Sequence, residues 1–152
     1  MTDMPAAETV TKTAQTETVE LLIPCRPEYV GVARLAVLGI ASRMPFSYDE
    51  VEDVRLAVGE ACTHAIERAG SRGDATIRIV STITPQSLKI EVIDTVAAQD
   101  VAAPTEEARL LAEAGVDQEG LGALLMEILV DEVHIETSAS GTRVLLTKHA
   151  PD

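Results

Sequence analysis

Glu60 and His64 stand four residues apart in Glu60-Ala-Cys-Thr-His64, so on a helix they project from one face, beside Thr63 and Glu67. A carboxylate on such a face, held beside a nucleotide, can take the proton of an attacking hydroxyl. That is the general-base role in phosphoryl transfer to serine or threonine. A second segment, Glu119-Gly-Leu-Gly122, opens an apolar helical run. Free amides at a helix start attract phosphate, and residues without side chains let an anion approach closely. Between the two lies Asp94, ending a strand-like run, a possible acceptor for an exocyclic amine. Together the three read as a nucleotide pocket. Each also has a plainer reading: a solvated helix face for Glu60 and His64, a turn for the glycine pair, and a turn-starting aspartate for Asp94.

Other chemistries find less support. Glu60 and His64 have the spacing of two zinc ligands, but a catalytic zinc needs a third, and His134, His149, Cys25 and Cys62 offer no spacing that supplies one. No Ser-His-Asp set or nucleophile-elbow glycine pattern points to hydrolysis. The net charge of −13 repels phosphate backbones, which argues against direct nucleic-acid binding and for a basic protein partner. Cys25 and Cys62 are too few for a disulfide framework and read as small buried hydrophobes. Met1 to Thr18 is polar and Thr-rich, without the basic start and apolar run of a secretory signal; it reads as a disordered tail on a soluble, cytoplasmic protein. No stretch reaches the roughly 18 to 20 consecutive apolar residues of a membrane span.

The elements that must position these residues follow from periodicity. At 152 residues, 46% of them apolar, the chain suits one domain with one core, built from Ala, Val, Leu and Ile because there is no Trp and only one Phe. Val19 to Pro24 reads as a strand. Glu28 to about Arg43, entered at Pro27, reads as a helix so apolar all round that it needs cover on more than one side, one cover being the sheet and the other a second chain. Ser47 and Glu50 have the form of a capping box, and the helix that follows runs to about Ala69, with Val51, Val54, Val58, Ala61, Ala65 and Ala69 as its buried stripe. Ala75 to Ile83 and Ser87 to Asp94 form a hairpin. Residues 96–119 lose strand periodicity, contain a short helix from Thr105 to Ala114, and read as a lid. A helix from Gly120 to Val130 and a hairpin of Val133 to Thr137 with Thr142 to Lys148 complete the chain. The order predicts a two-layer α/β sandwich, a mixed, mainly antiparallel sheet with helices on one face, and a single domain over 19–150.

The run PEYVGVARLAVLGIASRMPFSYDEVEDVRLAVGEACTHAIERAG, from Pro27 to Gly70, and EGLGALLMEILVDEVHIETSASGTRVLLTKH, from Glu119 to His149, resemble the anti-sigma-factor serine kinases of the general stress response and sporulation. With the strand ending in Asp94, the resemblance covers all but the tail and the lid. It implies a Bergerat-type ATP-binding fold, related to histidine kinases and gyrase-like ATPases. It implies a protein that keeps a sigma factor from RNA polymerase and phosphorylates a small anti-anti-sigma (STAS-type) partner on Ser or Thr, with ATP and Mg²⁺, as a homodimer. By matching position, Glu60 is the general base and Asp94 the adenine-recognising aspartate. Gly120, Leu121 and Gly122 hold the lid and phosphates, Thr147 lies near adenine, and Arg34 contacts the regulatory partners.

Two positions depart from that family. His64 stands where the family has the Mg²⁺-ligating Asn, and an imidazole suits a hard, oxygen-preferring ion poorly. Glu106 or Glu107 of the lid could supply oxygen instead. Val96 stands where the strand motif has Gly, and a β-branched residue there resists positive φ and directs bulk toward the base. The alternative they raise is a binding module of the same architecture that works by partner exchange without ATP.

Overall fold

The structure is a computed structural model that describes residues 16–151. Of the expected tail, residues 1–15 lie outside the described residues, whereas Glu17 and Thr18 already pair in the first strand. In chain order the elements are β1 (Glu17–Pro24), a 3₁₀ turn (Pro27–Tyr29), α1 (Val30–Ala41), α2 (Tyr48–Ala69), β2 (Thr76–Ile83) and β3 (Ser87–Asp94). A second 3₁₀ turn (Ala98–Asp100), α3 (Glu106–Glu113), α4 (Gln118–Leu129), β4 (Glu132–Ser138) and β5 (Gly141–His149) follow.

The strands form one sheet in the order β1-β2-β3-β5-β4. Every neighbouring pair is antiparallel, so the expected mixed sheet is wholly antiparallel among the described residues. Alternation decides its faces. Ile77, Ile79, Leu88, Ile90, Val92, Val144 and Leu146 are buried, while the intervening Arg78 and Lys89 are exposed. The buried face meets α2, which touches β3 and β5 and is flanked by α1 and α4. Each large aliphatic side chain buried there contributes roughly 1.5–3 kcal/mol relative to exposure.

The long helix α2 carries the expected stripe: Val51, Val54, Val58, Ala61, Ala65 and Ala69 are all buried, joined by Ala57, Gly59 and Cys62. Its start is fixed by the capping box, in which Glu50 N–H donates to Ser47 Oγ at 3.1 Å and Ser47 N–H donates to Glu50 Oε1 at 2.8 Å. Its end comes at Gly70, whose φ of 61° only glycine adopts easily. The segment 96–119, expected as a lid, is tied to that end, since Ala102 N–H donates to Arg68 O at 2.7 Å. Within the lid, Thr105 caps α3 by accepting from Ala108 N–H at 3.1 Å. On α1, Ala33, Val37 and Ala41 are buried while Val32 and Leu35 are exposed, Leu35 to 69%.

Candidate functional site

The register of α2 places Glu60, His64 and Arg68 one turn apart on a single face. His64 Nε2 lies 2.7 Å from Glu60 Oε2, and both side chains are largely shielded from solvent. They are shielded by α4: a Cβ on Gly122 would stand 2.1 Å from His64 Nε2 and 2.9 Å from Glu60 Oε2. The absent side chain at Gly122 therefore makes room for the imidazole rather than leaving an open cradle for an anion. Gly120 is similarly occupied, its would-be Cβ 2.8 Å from Asp117 Oδ2. Helix α4 begins at Gln118, so the glycines lie inside its first turns instead of at its opening. Leu121 is 52% exposed and faces away from these groups.

Asp94 ends β3 with only 4% of its surface exposed. Val96 N–H and Thr142 N–H donate to its Oδ1 at 3.0 and 3.3 Å, and the Arg68 guanidinium donates to its Oδ2. Both oxygens of this buried carboxylate are thus satisfied within the fold. Gly141 permits the close approach of β5, because a Cβ there would lie 2.0 Å from the Asp94 carbonyl oxygen. Beside this cluster, burial first and the Asp94 charge second push the Cys25 thiol up to about 11. Burial pushes Cys62 up to about 12. Neutral thiols in the core agree with the reading of both as small hydrophobes.

Two further expectations change on the structure. Thr147 pairs with Lys89 and Glu132, which puts it on the sheet face of Lys89, Arg143 and Leu145, opposite to Asp94. The threonine beside Asp94 is Thr142, an odd number of residues earlier in the strand and so on the other face. Val96 is buried in the core and donates its N–H to Asp94. No non-glycine residue among those described has positive φ, so valine sits there without backbone strain. Arg34 is half-buried between α1 and α2, its Nε buried without a partner and 2.6 Å from where a Gly59 Cβ would be.

Between α2 and the lid lies a cleft of about 440 Å³, within the usual range for small-molecule sites. His64, Glu67 and Arg68 line it from α2, with Arg109, Asp117 and Glu119 opposite. Glu106 and Glu107, the candidate oxygen donors, do not line it. Magnesium fits position 64 poorly, because the donor there is a nitrogen already engaged by Glu60. A nucleotide fits the cleft by size, and Asp94 lies behind it, screened from it by Arg68. Arg68 and Gly141 were absent from the candidates read from sequence; Arg68 follows Glu60 and His64 at the same four-residue step, the one signal that pointed to it.

A sheet of this order, covered on one face by helices and carrying a carboxylate helix, a strand-end aspartate and a lid, defines a nucleotide-binding ATPase architecture. The family described as the histidine kinase-like ATPase domain matches residues 23–148, and the chain belongs to it. The chain is 40% identical to the serine-protein kinase RsbW of Bacillus licheniformis, over 86% of this chain and 84% of that one. It is 38% identical to the serine-protein kinase RsbW of Bacillus subtilis strain 168, with the same coverage. Its fold resembles the RsbU and RsbW domains of Rv1364c from Mycobacterium tuberculosis, with a TM-score of 0.65 at 15% identity over 90% of this chain and 33% of that one. Among the described residues, no helix is long and apolar enough to cross a membrane.

Proposed function

We propose that the chain is an anti-sigma factor and an ATP-dependent protein serine/threonine kinase, which sequesters a sigma factor and phosphorylates a STAS-type anti-anti-sigma partner. The observation that carries this is a cleft lined by His64 and Arg68, the partners of Glu60 and Asp94, in a chain 40% identical to a serine-protein kinase. Glu60 is the base that receives the hydroxyl proton of the partner's Ser or Thr, and His64 holds its carboxylate in place. Asp94 is the acceptor for the adenine amine. The nitrogen at position 64 gives a magnesium ion no good seat.

The protein works in the cytoplasm as a homodimer. The exposed Val32 and Leu35 beside Gly31 and Gly39 give α1 an apolar outer strip on which a second copy can pack. Arg34, on the same helix, is proposed to meet the regulatory partners.

The test is Glu60→Gln, assayed with ATP and an anti-anti-sigma domain. The variant should bind nucleotide as the parent does and transfer phosphate roughly 10² to 10⁴ times more slowly. Transfer at the parent rate would remove Glu60 from its role. Absence of nucleotide binding in the parent, with a sigma factor still co-purifying, would replace the kinase by a module that acts through partner exchange alone.

A further inference from the structure

The cleft does not present Asp94 to a ligand. Its lining includes Arg68 and omits Asp94, and the Arg68 guanidinium holds the one carboxylate oxygen that the backbone leaves free. The other oxygen already accepts from Val96 and Thr142 N–H. A base amine directed at Asp94 therefore arrives at the position that Arg68 Nη2 occupies.

We infer that Arg68 is an internal competitor for the adenine site, and that this chain binds adenine nucleotides only by displacing Arg68 from Asp94. The inference rests on the nucleotide reading of the cleft and adds the residue that sets its affinity. Three features support exchange over a permanent strut. Arg68 reaches Asp94 through a single nitrogen rather than the two-point fork that makes arginine–carboxylate pairs strongest. Its Nε is buried without a hydrogen-bond partner, so the closed position leaves a donor unsatisfied. On release, the guanidinium meets Glu67, Asp117 and Glu119, carboxylates that line the same cleft. The displaced cation thus stays next to negative charge, while the two backbone N–H groups continue to hold the Asp94 carboxylate.

Competition of this kind makes a distinctive prediction about the ligand. A nucleotide with the 6-amino group must evict Arg68 and is held back by it. One without that group makes no claim on Asp94 and is indifferent.

The experiment measures, by calorimetry on the full chain, binding of ADP and of purine riboside diphosphate, which lacks the amine. It compares the parent with Arg68→Ala and Arg68→Gln, the second covering the case in which the first does not fold. Both variants should bind ADP about tenfold or more tightly than the parent, the scale of one hydrogen bond to a charged group, with no gain for purine riboside diphosphate. Adding Asp94→Asn to either variant should erase the gain. If the parent binds ADP and neither variant binds it more tightly, Arg68 is no competitor, and the nucleotide reading stands without it. An equal gain for both ligands would also overturn the inference, since bulk or charge would then be the cause. If none of the three proteins binds ADP, the inference falls together with the nucleotide reading.

Discussion

Replacing Gly141 by alanine attacks the point where β5 crosses the end of β3. The added Cβ would stand 2.0 Å from the Asp94 carbonyl oxygen, against 3.4 Å or more in ordinary contact. The obstacle is main chain, so no rotamer relieves it. Asp94 is fixed on its far side by pairing with Ile77 of β2, and β5 must therefore withdraw by more than about 1 Å. Withdrawal gives up the Thr142 N–H donation to the Asp94 carboxylate, a charged hydrogen bond of about 1.5–3 kcal/mol, and φ of 155° at position 141 adds backbone strain of about 1–2 kcal/mol. The expected loss is about 2.5–5 kcal/mol, which lowers the melting temperature by very roughly 5–20 °C for a domain of this size. Urea denaturation monitored by far-UV circular dichroism measures it. Gly115→Ala is the control, since Gly115 has φ of 85° and nothing within 4 Å of the added carbon, so only backbone strain of about 1–2 kcal/mol applies. A Gly141→Ala protein within about 1 kcal/mol of the parent, or no less stable than the Gly115→Ala protein, would refute the steric account of this crossing.

Ser47→Ala removes the acceptor of the capping box at the start of α2 and should cost about 1 kcal/mol, read as a lower urea midpoint with an unchanged slope. The buried thiols predict an alkaline loss of stability. Both have folded values above the ordinary 9.0, so folding favours the protonated form; the stabilisation is whole below pH 9 and is lost as pH rises toward about 11 for Cys25 and about 12 for Cys62. Urea midpoints between pH 8 and 10.5 should fall with rising pH, and less steeply in Cys62→Ala than in the parent; parallel slopes would refute the contribution of that thiol.

The stripe on α2 and the alternation in β3 were legible in the sequence because each repeats with the period of its element, and each repeat decides what is buried. Glu60 and His64 could be placed on one face for the same reason. What the sequence withheld depends on neighbours distant along the chain. Thr147 and Thr142 are both threonines of one strand, and only the pairing of β5 with β3 tells which of them shares a face with Asp94. Arg68 and Asp94 are 26 residues apart, so their pairing has no local signature. Gly141 looks like any hairpin glycine until the Asp94 carbonyl is set against it. Val96 was read from a backbone that glycine would allow, whereas the chain adopts one that valine accepts and buries the side chain.

The contact between Gly122 and His64 couples two positions 58 residues apart into a single volume. With the ring in its present place, a side chain at 122 overlaps it, so residue 122 can grow only if the imidazole turns out of its pairing with Glu60 or gives way to a smaller group. Bulk at 122 and the Glu60–His64 pair therefore compete for one space: the pair as it stands needs the glycine, and growth at 122 costs the pair its geometry.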